Sequence, residues 1–363
     1  MALPTKDQIS NSIESGGNIC DPKLIGYNTI EGVIGPECYS GGFCLVYPVS
    51  NGKNKYAFRV WHTEIEGIKE RLIKISQYLD THKLPYFVDF CYVENALRVF
   101  DDEGNQQTID AVTMEWVNGK NLVAYIDTIV SDASLSDTEK KKKIATLASR
   151  FKEMVCKLHQ INVAHGDLQH GNIIVDDDES LKLVDYDSVY VPTFINEEQV
   201  TSGMAAYQHP CRKNRTFMSS KFDDFFSEQI IYLSLLCFSE DLTLWEPLEE
   251  RDEYSLLFTE ADYLSLSAST QYKKIRRLPN KEIQLLLDEL EQNLSYPDIT
   301  HIRPLELVLK NKYEEQPNSV FLEDNDISFL LGDQKKKAVY KDNRIQLPDF
   351  DEEAARQRYS QNQ

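Results

Sequence analysis

The chain reads as an α+β protein of two unlike halves, a small β-rich first half with one main helix and a mainly helical second half. Three observations lead there. Between Tyr39 and Trp116 the sequence breaks into short β-branched and aromatic runs separated by turn residues. One amphipathic helical period interrupts those runs, and after Asn118-Gly119 the apolar spacing changes to that of long helices. With 363 residues there is enough chain for each half to bury a core of its own.

Residues 1–34 are a lead segment, and Met1 to Gly16 has no apolar stretch of the kind a secretory signal needs. In the first half, 35–117, strands are expected at Tyr56–Trp61, Tyr86–Val93, Leu97–Phe100 and Ile109–Trp116, with Asn51-Gly52 and Asp102-Glu103-Gly104 as turns. The helix is expected over Glu64–Leu79, where Ile65, Ile68, Leu72, Ile75 and Leu79 make one stripe.

The second half, 118–312, opens its long helix with Ser136-Asp137-Thr138-Glu139. This is a capping box, in which the Ser oxygen and the Glu carboxylate take up orphan amides. Ile144, Leu147, Ala148, Phe151, Met154, Val155 and Leu158 follow as one apolar face. A hairpin comes next, Ile173–Val175 and Leu181–Val184, and its acidic turn Asp176–Glu179 reads as a solvated tip. Asp223–Phe238 has the composition of a buried helix and Asn280–Leu294 that of an amphipathic one. From 313 to 363 polar and charged residues dominate, as in an acidic, flexible tail.

Lys plus Arg number 39 against 59 Asp plus Glu, a net charge of −20 that would repel a phosphate backbone and excludes nucleic acid as a general partner. The seven cysteines are scattered and never spaced C-x-x-C, which speaks against a disulfide framework or a zinc knuckle and for reduced thiols. Ile230 to Phe238, the longest apolar-leaning run, is far too short to span a bilayer. The expectation is a cytoplasmic protein without a membrane partner.

The residues with chemistry in them sit between the long helix and the hairpin. His165, Asp167 and Asn172 form an H-x-D-x-x-x-x-N loop, and Asp185-Tyr186-Asp187 ends the hairpin eighteen residues after Asp167. In this order and spacing the chain resembles the protein-kinase-like superfamily over roughly residues 35 to 300. Its HGDLQHGN, LVDYDS and YQHP segments resemble a bacterial group of kinase-like proteins regarded as serine/threonine kinases.

The resemblance implies a bilobed kinase-like fold, a small N-lobe over a helical C-lobe, binding ATP and Mg2+ between them. Asp167 would be the catalytic carboxylate that orients the attacking hydroxyl and accepts its proton, and Asn172 and Asp185 would hold the metal. Tyr39 to Val46 stands where the family has its Gly-rich loop, with the central Gly41, Phe43 and Val46 kept, Tyr39 and Cys44 replacing the flanking glycines, and the backbone at Gly41 and Gly42 still able to approach phosphates. Tyr56-Ala57-Phe58-Arg59 takes the place of Val-Ala-Ile-Lys, so Ala57 would cover the adenine and Arg59 would meet the phosphates. Glu64, at the flank of the helix stripe, is the candidate partner for Arg59, since Glu70 falls on the far side. Met114, Glu115 and Val117 would line the adenine edge, and Asp223 would tie down the backbone of the catalytic loop.

The implied activity is transfer of the γ-phosphate of ATP to a Ser or Thr hydroxyl of a protein, this chain itself included. Gly166 replaces an Arg that docks a phosphorylated activation segment, and Gln169 replaces a Lys of serine/threonine kinases. His-Gly-Asp also resembles small-molecule kinases such as aminoglycoside phosphotransferases, which gives a first alternative. The second is a pseudokinase scaffold that senses nucleotide, favoured by Arg59 and the altered glycines.

Overall fold

The computed structural model describes residues 3–314 except 34, 195, 214–216 and 247–251; the expected tail from 315 onward lies outside the described residues. The strands in chain order are β1 (Asn28–Thr29), β2 (Tyr39–Ser40), β3 (Cys44–Ser50), β4 (Lys55–Trp61), β5 (Phe90–Phe100), β6 (Gln106–Glu115), β7 (Gly119–Asn121), β8 (Ile173–Asp176) and β9 (Leu181–Leu183). The helices are α1 (Lys6–Glu14), α2 (Ile68–His82), α3 (Leu122–Ser131), α4 (Asp137–Gln160), α5 (Phe225–Glu240), α6 (Glu260–Leu264), α7 (Thr270–Ile275), α8 (Lys281–Leu294) and α9 (Leu305–Glu314). The expected α+β class holds: a curled antiparallel sheet occupies the N-terminal part and helices follow it.

The first six strands form one sheet in the order β1-β3-β4-β6-β5, with β2 also paired to β3. Directly paired residues share a face, so the register Val46↔Arg59↔Val112 and Ala57↔Met114 sorts the side chains. Leu45, Tyr47, Val49, Phe58, Val60, Leu97, Val99 and Ala111 face one way and pack on Ile9, Ile13 and Leu24 of the lead segment. Cys44, Trp61, Val112 and Met114 face the other way, into the core shared with α2 and the later helices. With both faces covered, the central strand β3 is almost wholly buried along its length.

Three expectations need correction. The lead segment carries a helix not expected from its sequence, since Thr5 and Gln8 make a capping box that starts α1. The helix expected from Glu64 begins at Ile68, since Gly67 at φ 69° leaves the helical region and sets the start. The separate strands Tyr86–Val93 and Leu97–Phe100 are one strand, β5, with a bulge between Val93 and Leu97 that keeps Leu97 and Val99 on the face covered by α1. Asn95 takes φ 52° there, and its amide donates to Asp110 Oδ1 at 2.8 Å.

In the second half, α4 carries the expected capping box, and its seven-residue apolar face is buried throughout. It packs on α5, in which nearly every side chain from Phe225 to Phe238 is buried. The hairpin β8–β9 forms as expected and is extended by β7, which pairs with β8. Its acidic turn is a surface tip, where Arg150 and Lys143 reach Glu179 at 2.9 and 3.4 Å. No helix among the described residues is long and apolar enough to cross a membrane.

The covering of the outer sheet face by α1 gives a stability expectation. Ile9 is fully buried there, so Ile9→Ala should lower unfolding free energy in urea by about 2–5 kcal/mol. Ile25→Ala, at a residue 80% exposed, should change it by less than about 0.5 kcal/mol. Equal effects would mean that the lead segment does not cover the sheet in solution.

Candidate functional site

The loop from His165 to Asn172 follows α4 and is held from below by a carboxylate. Asp224, at the head of α5, accepts hydrogen bonds from the amides of His165 and Gly166, the second at 2.9 Å. The expected Asp223 does not do this, which corrects the sequence assignment by one residue. Asp223 instead accepts from the amide and hydroxyl of Ser220 at 2.9 and 2.8 Å, while the Arg212 guanidinium, buried nearby, donates to its carbonyl at 3.1 Å. Gly166 is required where it stands: its φ is 79°, and a Cβ there would collide with the Ser188 carbonyl oxygen. His165 closes the loop on the hairpin by donating from Nε2 to the Val184 carbonyl at 2.9 Å.

Within this frame Asn172 donates from Nδ2 to the Asp167 carbonyl at 2.8 Å and to Asp167 Oδ2 at 3.4 Å. The Met204 amide donates to Asp167 Oδ1 at 3.3 Å, so both oxygens of that carboxylate are oriented. Burial pushes the Asp167 carboxyl up from its ordinary value; His165 opposes this and the Asp185 carboxylate adds to it. Asp185 sits at φ 69°, unusual for a residue with a side chain and the kind of local strain found at functional positions.

Arg59, on the inner face of β4, meets this group from the sheet side. Its two terminal nitrogens donate to the two oxygens of Asp187 at 2.7 Å each, a bidentate pair, and Nη2 also lies 2.9 Å from Asp185 Oδ1. Nε donates to Cys44 Sγ at 3.0 Å. Burial opposes the charge on Arg59, but Asp185 and Asp187 outweigh it and hold the guanidinium protonated. Glu64, the partner expected from the sequence, lies before the first turn of α2 and is exposed; the carboxylates come from 185 and 187 instead.

The structure therefore brings Asp167, Asn172, Asp185 and Arg59 into one connected set. Val46, Ala57 and Met114 share the inner face with Arg59 by register. Gly41, Gly42 and Phe43 form the exposed turn between β2 and β3, in which the Gly41 amide closes on the Cys44 carbonyl at 2.9 Å. That amide is thus engaged within the turn, whereas Gly42 borders open space. Glu115 ends β6 exposed, with its amide given to the Asp89 carbonyl, and Val117 is half-buried just beyond.

Two residues that support this set carry no clear signal in the sequence. Asp187 stands only as the third letter of Asp185-Tyr186-Asp187. Arg71 falls inside the apolar stripe of α2, and that position was the available signal. It is buried and donates to the carbonyls of Asp187 at 2.7 Å and Val189 at 3.1 Å, with its guanidinium 4.5 Å from the Phe194 ring centre.

Two other features lie apart from this set. A cavity of ≈ 520 Å³ between the start of α2 and the start of β6 is lined by Trp61, Ile65, Ile68, Tyr92 and Asp110 among others, and by none of Asp167, Asn172 or Asp185. His159, Glu228 and Glu306 form a group with the composition of a metal site. Both imidazole nitrogens are engaged, however, with Nε2 donating to Glu228 at 2.8 Å and Nδ1 to Glu306 at 2.9 Å. This is an imidazolium clamped between carboxylates, and neither nitrogen offers a lone pair to an ion. No model of a known protein family matches the chain.

The clamp ties α4 to α5 and α9, and it has a pH signature. Burial would lower the His159 pKa, but the two carboxylates prevail and raise it from 6.5 to about 10. A group raised in the folded state contributes stability that is complete below the unfolded value and is lost as pH climbs through the folded one. Stability from this clamp should therefore decline between about pH 6.5 and 10. In His159→Gln that part of the decline should vanish in urea titrations run across the range; an unchanged slope would show that the clamp is not charged.

Proposed function

We propose that the protein is an ATP-dependent phosphotransferase that acts on hydroxyl groups, and, within that class, a serine/threonine protein kinase of bacterial type. What supports the reading is one convergence. Asp167, Asn172 and Asp185 come from the loop and hairpin, Arg59 comes from the sheet, and all four form one connected polar set although Arg59 and Asp185 are far apart in the chain.

The donor set suits a hard divalent cation with a polyphosphate. Asn172 spends its amide nitrogen on Asp167, which leaves its oxygen as a ligand, and Asp185 offers a half-exposed carboxylate. A magnesium ion held by these two would neutralise charge on the phosphate oxygens. Arg59 would add a planar cation for the same oxygens. Asp167, steered by Met204 and Asn172, would orient the acceptor hydroxyl and take its proton at a carboxylate oxygen. The raised Asp167 pKa means that this proton acceptor works only above the ordinary aspartate range.

A second reading, a nucleotide-sensing scaffold, draws on the same Arg59, whose two terminal nitrogens are already engaged by carboxylates. The small-molecule alternative differs only in the acceptor. Radiolabel from ATP on added protein or on the chain itself supports the kinase; label on small alcohols alone would favour that alternative.

The roles separate by mutation. Asp167→Asn should reduce phosphotransfer by about 10²–10⁴-fold and leave Mg-ATP affinity, measured by calorimetry, unchanged, because the lost interaction belongs to the transition state. The acid limb of the wild-type rate profile should lie above the ordinary aspartate pKa. Loss of nucleotide affinity in a natively folded Asp167→Asn protein would refute this assignment, and absence of phosphotransfer in a wild type that binds ATP would favour the scaffold.

A further inference from the structure

The two carboxylates on Arg59 are not equivalent. Asp187 is 5% exposed, grips the guanidinium through both oxygens and also accepts from Trp61 Nε1 at 3.3 Å. Its backbone is fixed by Arg71, which holds the carbonyls of 187 and 189. The Asp185 side chain is 44% exposed and touches Arg59 by a single 2.9 Å contact, on a nitrogen that Asp187 already engages. Its backbone is in the left-handed region, and its charge is felt by a second carboxyl, Asp167.

We propose that Asp187 is the positioning residue that keeps Arg59 in the cleft, and that the Arg59–Asp185 contact is a latch which a divalent cation and a polyphosphate open together. The inference rests on the phosphotransferase reading and adds a linkage to it. With the latch closed, the surroundings of Arg59 are net negative, since one guanidinium faces Asp185, Asp187 and, beyond them, Asp167. A polyanion is repelled. A cation that draws Asp185 away leaves Arg59 with Asp187 alone and restores its attraction for phosphate oxygens. Both ligands favour the same open state, so each must strengthen the other by an equal factor.

The test is calorimetric, with ATP as the probe and magnesium present or removed by chelation. In the wild type magnesium should raise ATP affinity by about 5–150-fold. Asp185→Asn removes the latch without freeing space, so it should bind magnesium-free ATP more tightly than the wild type does and lose most of the magnesium effect. Asp187→Asn should lower ATP affinity with and without magnesium at a temperature where circular dichroism shows it folded, a loss that a purely structural Asp187 would not produce. Asp187→Glu, which can still reach a guanidinium, should recover part of it. If Asp185→Asn binds magnesium-free ATP no better than a wild type that does bind Mg-ATP, the latch is refuted and the phosphotransferase reading stands. If folded wild type binds ATP under neither condition, that reading falls and the latch falls with it.

Discussion

The constraint on which the arrangement depends is a buried guanidinium. Arg59 lies on a sheet face that is otherwise apolar, and a cation in such surroundings is tolerated only when paired and fully hydrogen-bonded. The segment after β9 must therefore bring carboxylates up to β4. To do so the chain turns Tyr186 away into the core, where its ring meets Phe87 and Phe90 and its hydroxyl donates to the Leu183 carbonyl and accepts from the Val88 amide. Asp185 and Asp187, on either side of it, are then directed at Arg59. Removing one partner from such a pair costs about 3–5 kcal/mol, whereas replacing both by apolar groups is often neutral. The pair is thus better understood as fixing geometry than as adding stability.

A second arginine makes the same junction from the helix side. Arg71 spends most of its donors on backbone carbonyls of 187–189, with a longer ion pair to Glu197 at 3.5 Å. Carbonyl oxygens cannot titrate away, so the anchoring of this segment does not depend on pH in the way the Arg59 pair does. Below the loop, Asp224 supplies the complementary device, a buried acceptor for amides that would otherwise be unpaired. Loop and triplet are held by groups that are themselves buried, the condition for presenting Asp167 and Asp185 in fixed positions.

Features that depend on local chemistry could be read from the sequence. The Ser136 capping box, the apolar face of α4 and the β8–β9 hairpin each need only a dozen or so neighbouring residues to be recognised, and each is where it was expected. Features that depend on long-range compensation could not. The bulge at Asn95 is decided by which face α1 covers, and α1 itself has only Ile9 and Ile13 as buried apolar residues in a polar stretch. Asp223 and Asp224 are indistinguishable by composition, and only the loop above α5 decides which of them turns toward it. The carboxylate partners of Arg59 come from the hairpin end, more than a hundred residues away, and no local pattern around Arg59 points to them.

The departures from the kinase-like pattern then cease to be independent. Arg in place of Lys, Cys in place of a loop glycine and Asp in the third place of the triplet are in mutual contact: Arg59 donates to Cys44 through Nε and to Asp187 through both terminal nitrogens. Burial pushes the Cys44 thiol up, so it stays protonated and presents neutral sulfur to that donor. Unrelated losses in a decaying site would not satisfy one another in this way, though a retained scaffold could. Asp185 separates the two. Asp187 takes one N–H from each terminal nitrogen of Arg59 and carries most of the pairing, so Asp185 makes the lesser contact, on Nη2 alone. It is nonetheless held at φ 69° and half open to solvent. A purely structural role would favour relaxing that position, whereas the proposed ligation of a cation together with Asn172 would require a carboxylate held there, and this is what favours the proposed phosphotransferase over the scaffold.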